Sequence, residues 1–208
     1  MRVSRLVLTV TSLFALGATG TAAQVPGLSI VPKIGAAIPM SDLPSTPSAG
    51  AVASLNGTLA WGVAAELGLP GPFSLRADVD ATTKKSVSAA GVSSGSVDQT
   101  MMAIFGDLVF RPLPKIILVQ PYLMAGLGVK RYNYSLSDVT NPTTFQSSFT
   151  DRKDLAYHLG VGLDVGLGPL ALVAEVSDYM NQYQFESGST KKFQQDLFVM
   201  AGLRLGLF

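Results

Sequence analysis

Cysteine is absent from the 208-residue chain. This absence excludes disulfides, thiolate metal sites, thiol nucleophiles and the acylated cysteine of a lipoprotein. Charged residues are also scarce, at 14% of the chain against about 25% in an average globular protein. Hydrophobic residues make up 48%. A chain with so few charges and so many apolar residues is expected to expose apolar surface to lipid.

No large surplus of either charge is present, since 15 Lys and Arg stand against 14 Asp and Glu. Nucleic-acid binding is therefore not expected, because it usually depends on a basic surface that neutralises phosphates. The length of 208 residues is that of one domain.

Long helical apolar runs are missing as well. After the N-terminal segment, no window of eighteen or more apolar residues occurs, so helices that span an inner membrane are not expected. The most hydrophobic stretch, 116–129, contains Pro121, Gly126 and Gly128. Proline disfavours a helix by about 3 kcal/mol and each glycine by about 1 kcal/mol. The apolar residues are therefore expected in strands.

The N-terminus has the pattern of an export signal. Arg2 and Arg5 form a positive start, residues 6–16 an apolar core, and Thr21-Ala22-Ala23 a small-residue cleavage site. The alternative is a retained membrane anchor, which is disfavoured because a spanning helix needs about 20 apolar residues. The sequence therefore predicts a signal peptide over 1–23 and a mature domain over 24–208.

Alternation of apolar with small or polar residues dominates the remaining chain. It is clearest over 155–167, and it recurs over 59–69 and 73–81. Weaker copies lie near 34–38, 102–110, 123–129, 170–176 and 199–207. A period of two is that of a strand with one apolar face. The pattern predicts eight strands.

Short and long connections alternate between these predicted strands. The short ones are the Pro- and Gly-containing turns 70–72, 112–114 and 168–169; the long ones are about 40–56, 84–97, 135–153 and 182–192. Short periplasmic turns and long extracellular loops are typical of outer-membrane barrels. A sheet in lipid must also close, so that no backbone group is left unpaired. The sequence predicts an all-β fold, a closed eight-stranded antiparallel up-and-down barrel that spans a bacterial outer membrane.

A water-soluble eight-stranded barrel with a ligand cavity is the alternative fold. Such a barrel has a polar outer face and an apolar interior. The apolar face of this chain is too uniform, and the opposite face too charged, for that arrangement.

The second face of the predicted strands collects charges of both signs. The expected lumen network comprises Lys33, Glu66, Arg76, Asp78, Asp80, Asp107, Arg111, Lys130, His158, Asp164, Glu175 and Arg204. An eight-stranded barrel is just wide enough for side chains, so a plug of paired charges is expected. An ion pathway is the alternative. His158, the only histidine, is expected to be a polar core residue hydrogen-bonded near Asp164.

Aromatic residues are predicted in two settings. Girdles at the two membrane interfaces are expected from Trp61, Phe73, Phe110, Tyr122, Tyr157 and Tyr179. Residues in or beside the loops are candidates for contact with a partner, namely Tyr132, Tyr134, Phe145, Phe149, Tyr183, Phe185 and Phe193. No metal or cofactor site is expected, because the loop carboxylates are too scattered for a calcium loop and no glycine motif for nucleotides is complete.

The chain resembles the small outer-membrane β-barrel proteins, the class that contains the OmpA membrane domain and OmpX-like proteins. The resemblance rests on the export signal, the strand count, the glycine-rich segment 121–129 and the terminal segment 202–208. In this family a terminal phenylalanine is the assembly signal read by the barrel-insertion machinery, which the resemblance implies for Phe208. The chain departs from the family at Gly206, where an aromatic or apolar residue is usual.

The resemblance implies a place in the cell outer membrane, in contact with its lipid and lipopolysaccharide, and we expect a monomer. The leading hypothesis is a non-enzymatic barrel that acts in envelope structure or in surface contact through its long loops. A narrow channel for small or apolar solutes is the alternative. A lipid A-modifying enzyme is disfavoured, because deacylase-type barrels carry a serine two residues after their histidine, where this chain has Gly160.

Overall fold

A computed structural model describes residues 27–40, 53–54, 57–89, 96–113, 118–137, 152–166, 169–183 and 192–207. The predicted signal peptide, its cleavage site and Phe208 lie outside these residues. The strands in chain order are β1 (Leu28–Pro39), β2 (Ala53–Ser54), β3 (Thr58–Gly68), β4 (Phe73–Thr82), β5 (Lys85–Ala89), β6 (Ser96–Phe110), β7 (Val119–Ser137), β8 (Arg152–Val165), β9 (Leu170–Tyr183) and β10 (Lys192–Gly206). In this part of the chain, no helix is long and apolar enough to cross a membrane.

Eight long strands form the closed antiparallel barrel that the alternation predicts. Their order round the barrel is β1, β3, β4, β6, β7, β8, β9 and β10, and β10 pairs again with β1. The short strands extend the wall at one end, where β5 pairs with β6 and β2 pairs with β5. Each long strand therefore has a hydrogen-bonded neighbour on both sides, which is the requirement for a sheet in hydrocarbon.

The register of the strands is staggered round the barrel. A path through directly paired residues starts at Ser29, crosses all eight long strands and returns to β1 at Pro39, ten residues further on. Such stagger accompanies strands tilted about 35–45° from the barrel axis. A row of paired residues on the wall therefore climbs from one end of the barrel to the other.

The two ends of the barrel differ in their connections. At the end that we call the turn end, β3 and β4 are joined by residues 69–72. Gly71 has a φ of 81° there, a backbone conformation that favours glycine, and Leu69 donates its N–H to the Phe73 carbonyl at 2.9 Å. The longer connections leave the opposite end, here called the loop end. Short periplasmic turns place the turn end on the periplasmic side of such barrels.

Several strands extend further toward the loop end than the sequence predicts. β7 continues to Ser137 and β8 begins at Arg152, although 135–153 is a predicted loop. β5 and the start of β6 likewise lie within the predicted loop 84–97. The alternation of apolar residues marks only the part of a strand that faces lipid, whereas backbone pairing continues through polar sequence beyond it.

The outward face of the wall is apolar along the whole set of long strands. Leu155 is 66% exposed and Leu172 is 65% exposed, and both lie on the apolar side of the predicted alternation. Ile34, Leu59 and Leu127 are exposed in the same way. A water-soluble barrel would place these side chains inside, so the soluble alternative does not fit the structure.

Candidate functional site in the barrel lumen

All twelve charged or titratable residues of the expected network lie on the inward face. Eleven of them are buried, and Arg204 is partly exposed, with 15% of its side chain accessible. They fall into three groups along the barrel axis, apart from a His–Asp pair. We call these groups the turn-end quartet, the central cluster and the loop-end cluster.

The turn-end quartet consists of Glu66, Arg111, Asp164 and Arg204. Arg111 contacts Glu66 at 2.5 Å and Asp164 at 3.2 Å. Arg204 contacts the same two carboxylates at 3.0 and 3.2 Å. The four residues come from β3, β8, β10 and the residue that follows β6, so they form a ring in which positive and negative charges alternate. The ring is electrically neutral.

The central cluster consists of Lys33, Arg76, Asp78, Asp80 and Glu175. Lys33 Nζ lies 2.7 Å from Asp78, 3.3 Å from Asp80 and 3.0 Å from Glu175. Arg76 contacts Asp78 at 2.6 Å and Glu175 at 2.8 Å. Two cations thus share three carboxylates, and each side chain is at most 1% exposed.

Two tyrosine hydroxyls complete the central cluster. Tyr122 donates to Glu175 at 2.9 Å, and Tyr179 donates to Asp80. The sequence-based prediction of a membrane-interface girdle is wrong for these two residues, because Tyr122 is 1% exposed and Tyr179 is fully buried in the lumen. Both tyrosines share the inward parity of their strands with buried neighbours, Met124 on β7 and Ser177 on β9. Trp61 does lie on the outward face, where 52% of it is exposed.

Two glycines, Gly62 and Gly162, leave space for the side chains of the central cluster. A Cβ at Gly62 would collide with the carboxylate of Asp80, and a Cβ at Gly162 would collide with the ring of Tyr122. These two residues are on the inward face, where the sequence shows only small residues between apolar ones. Their small size therefore admits the larger side chains of neighbouring strands.

The loop-end cluster is centred on Lys130. Its ammonium group donates to Asn181 at 2.9 Å and to the Tyr179 carbonyl at 3.0 Å, and it forms an ion pair with Asp196. Tyr132 donates its hydroxyl to Asp196 at 3.0 Å. Asp196 and Asn181 are absent from the predicted network. Extension of the alternation of β10 and β9 toward the loop end places both on the inward face.

Tyr132 lies in a strand and not beside a loop as the sequence suggested. It belongs to β7 and is 3% exposed. The polar sequence that follows Val129 looks like the start of a loop, but the backbone pairing with β6 and β8 continues through it.

His158 is paired with Asp107, and the prediction that its partner lies near Asp164 is wrong. His158 Nδ1 lies 2.7 Å from Asp107 Oδ1. Asp107 belongs to β6, and Gly126 of β7 connects the two residues in register. The imidazole ring stacks on Tyr179 with 4.3 Å between centroids and an interplanar angle of 4°. Phe105 packs edge-on against it at 5.4 Å.

The lumen is filled between its two ends. At the turn end a cavity of about 510 Å³ is lined by the turn-end quartet, together with Ser29, Ser74 and Gln120. At the loop end a cavity of only about 30 Å³ lies beside Met101, Tyr132 and Phe198. The central and loop-end clusters and the packed rings of Phe105, His158, Tyr179 and Phe198 lie between them.

Buried charges in the lumen need partners, because removal of an ion from water costs several kcal/mol unless it is paired and hydrogen-bonded. The ion pairs described above provide those partners for each lysine and arginine of the three groups. Among the residues that the structure describes, no group of three or more His, Asp or Glu side chains is arranged to hold a metal ion.

The fold is that of the small outer-membrane β-barrels. Two similar solved structures are Neisserial surface protein A (TM-score 0.56, 16% identity, 86% of this chain and 96% of that chain covered) and the outer membrane protein OprG from Pseudomonas aeruginosa (TM-score 0.53, 14% identity, 87% and 93% covered). No family model and no curated protein sequence matches the chain. At these identities the likeness concerns the fold alone.

Proposed function

We propose that this protein is a non-enzymatic outer-membrane barrel whose lumen is closed by paired charges. Its role would be in envelope structure or in surface contact through the connections at the loop end. The observation that carries the proposal is the filled lumen, in which the central cluster joins residues of β1, β4 and β9 across the barrel. To open a route, several buried ion pairs would have to separate.

The outward face supports the membrane location. Leu, Val and Ile side chains are exposed on all eight long strands, and no polar layer covers them in the described part of the chain. Contact of such an apolar surface with lipid is favourable, whereas its exposure to water is unfavourable. The proposal includes contact with outer-membrane lipid and lipopolysaccharide, a monomeric state, and a role for Phe208 as the assembly signal.

The environment of His158 argues against catalysis on a lipid. The ring is fully buried inside the barrel, between Tyr179 and Phe105. A lipid substrate lies outside the wall, so it would not reach the imidazole unless the barrel opened. Incubation with lipid A, followed by mass spectrometry of its acyl chains, is expected to show no change.

Conductance in planar lipid bilayers tests the closed lumen. The purified protein is expected to show no stable unitary conductance in about 1 M salt. Phe198→Ala removes a buried ring near the loop end. This variant is measured beside the unaltered protein, because conductance that appears only after the ring is removed would show that the assay detects an opened lumen. Steady channels in the unaltered protein would instead favour the narrow solute channel. Heat-modifiable gel mobility checks that both proteins are folded.

A further inference from the structure

A carboxyl group on β9 is an exception to the apolar outer wall. Asp178 shares its strand parity with Val176, which is exposed to the outside. The residues on either side of it in the chain, Ser177 and Tyr179, are buried in the lumen. Asp178 therefore faces outward, although the other outward residues of β9 from 170 to 180 are apolar.

Asp178 lies deeper in the membrane than the polar end of its strand. The next polar residue on the outward face of β9 is the exposed Gln182, four residues nearer to the loop end. Four residues of a strand with a rise of about 3.3 Å per residue and a tilt near 45° advance about 9 Å along the barrel axis. On the neighbouring strands, Asp178 is paired with Leu159 and Leu197. Ionisable side chains at such a depth are costly, and they usually have a function.

The hydrogen-bonding capacity of this carboxyl group is only partly used. Gln195 Nε2 donates to Asp178 Oδ2 at 2.9 Å, whereas Oδ1 has no hydrogen-bond partner in the described part of the chain. The titratable groups that act on Asp178 electrostatically, Lys130, His158 and Asp196, are all buried on the inward side of the wall. Since a carboxylate can accept about four hydrogen bonds, the outward side of Asp178 retains capacity for a donor from the membrane.

Asp178 lines an apolar groove on the outer wall. The groove has a volume of about 510 Å³ and extends from β6 to β10. Apart from Asp178, every residue that lines it is apolar or glycine, and Leu123, Leu159, Val161 and Val176 are among them. A molecule that lies in this groove therefore meets one polar side chain at a fixed depth.

The depth and the chemistry of Asp178 define the kind of ligand. Charged headgroups and polar solutes are unfavourable inside the hydrocarbon, whereas acyl chains fill it. The ligand must therefore be an acyl chain that carries a neutral hydrogen-bond donor, and a hydroxyl group is such a donor. A hydroxyl donates to an ionised carboxylate, and it exchanges donor and acceptor roles with a protonated carboxyl group. The contact is favourable in both states.

We propose that Asp178 binds the hydroxyl group of a hydroxylated acyl chain that belongs to a lipid of the outer leaflet and lies in this groove. The loop end is on the outer side of such barrels. Gln195 is paired with Met180, on the loop-end side of Asp178, so its hydrogen bond draws the carboxyl group toward the headgroups. We therefore expect the hydroxyl near the carbonyl end of the chain. The inference rests on the proposed contact with outer-membrane lipid and specifies the acyl chain.

Native mass spectrometry measures this contact. The refolded protein in detergent micelles is mixed with a synthetic phosphatidylcholine that has one acyl chain hydroxylated at its third carbon, or with the same lipid without the hydroxyl group. Bound lipid and the number of protein chains are read from the same spectrum. The unaltered protein is expected to bind several-fold more of the hydroxylated lipid. Asp178→Leu is expected to bind both lipids alike.

Two control variants separate the hydrogen bond from packing in the groove. Leu123→Ala removes an apolar side chain of the groove and leaves Asp178 in place, so it is expected to weaken the binding of both lipids alike and to keep the preference. Asp178→Asn keeps a hydrogen-bonding side chain of the same size and is expected to keep part of the preference. If Asp178→Leu does not form the heat-modifiable barrel, Asp178→Ala is measured instead, with the same expected loss.

Four results would overturn the inference. Two concern the preference itself, namely equal or weaker binding of the hydroxylated lipid by the unaltered protein, and a preference that survives in Asp178→Leu. Displacement of the lipid by a free hydroxylated fatty acid would identify a free solute as the ligand. A dimer of the unaltered protein that is lost in Asp178→Leu would assign the carboxyl group to a contact between two copies of the chain.

Failure of the proposed function is distinguishable from failure of this inference. It would appear as conductance or as absence of the heat-modifiable barrel. A folded, closed barrel that binds both lipids alike would contradict only the present inference.

Discussion

The outward and inward faces of the wall are built from alternate residues of the same strands, but they meet different requirements. Outward side chains such as Leu172 need only be apolar, because lipid packs against any of them. Inward side chains such as Lys33 need particular partners, and those partners come from β4 and β9. The outward face therefore accepts different apolar residues and can be predicted from neighbouring residues in the sequence. The inward face depends on contacts between residues far apart in the chain.

The lumen itself contains a second contrast. The turn-end quartet balances two arginines against two carboxylates and is partly exposed at the mouth. The central cluster sets two cations against three carboxylates and is almost completely buried. We expect substitutions in the central cluster to cost more, because its side chains are almost completely shielded from bulk solvent.

The largest effect is expected for Lys33→Ala. This change leaves Asp78, Asp80 and Glu175 without their shared ammonium group, and loss of one partner from a buried pair costs about 3–5 kcal/mol. The free energy of unfolding is measured in lipid vesicles by urea titration of the fluorescence of Trp61, the only tryptophan. The exposed Lys84→Ala is the control, expected within about 0.5 kcal/mol of the unaltered protein. If Lys33→Ala and Lys84→Ala lowered the free energy of unfolding equally, the claim that inward side chains depend on particular partners would be contradicted.

Val161→Arg is expected to follow. Val161 is 52% exposed on the outward face of β8, and arginine facing lipid near the midplane costs about 2–4 kcal/mol. Gln182→Arg, at an exposed position of β9 near the loop end, is the matched control and is expected to cost about 0–1 kcal/mol near the interface. If the two variants unfolded at the same urea concentration, the assignment of Val161 to the lipid-facing surface would be wrong.

Asp164→Asn should cost less than Val161→Arg. Both arginines of the turn-end quartet keep Glu66 as a partner, so the expected loss is that of a charged hydrogen bond, about 1.5–3 kcal/mol. A double-mutant cycle with Arg204→Gln measures the coupling, which should exceed about 0.5 kcal/mol for residues in contact. Additive losses would show that the ring does not act as a unit.

The smallest effect is expected for Leu155→Ala. The side chain is 66% exposed to the outside, and it lies at the loop-end edge of the apolar wall, so truncation loses only part of the ~0.8 kcal/mol that each CH2 gains on transfer from water to lipid. The unfolding free energy should fall by about 1 kcal/mol. A loss comparable to that of Lys33→Ala would indicate that Leu155 packs against protein and not lipid.

Much of the fold was predictable from the sequence because strand parity is a local property. The alternation over 155–167 identifies β8, and the same pattern assigns Leu159 outward and His158 inward. The end of each strand was less predictable, because β7 continues past Val129 through polar residues that pair only by their backbones. Asp196 was missed for the same reason, since it precedes the apolar alternation of β10.

The amino-acid sequence alone determined the strand count, the two faces and the outward apolar surface, because each depends on neighbouring residues and on a period of two. Only the tertiary structure decided that His158 pairs with Asp107, that Tyr122 and Tyr179 belong to the lumen network, and that Arg111 and Arg204 share two carboxylates. Those contacts depend on the ten-residue stagger of the closed barrel, which brings together residues far apart in the chain. The stagger is set by the register between strands, so the sequence of one strand does not predict it.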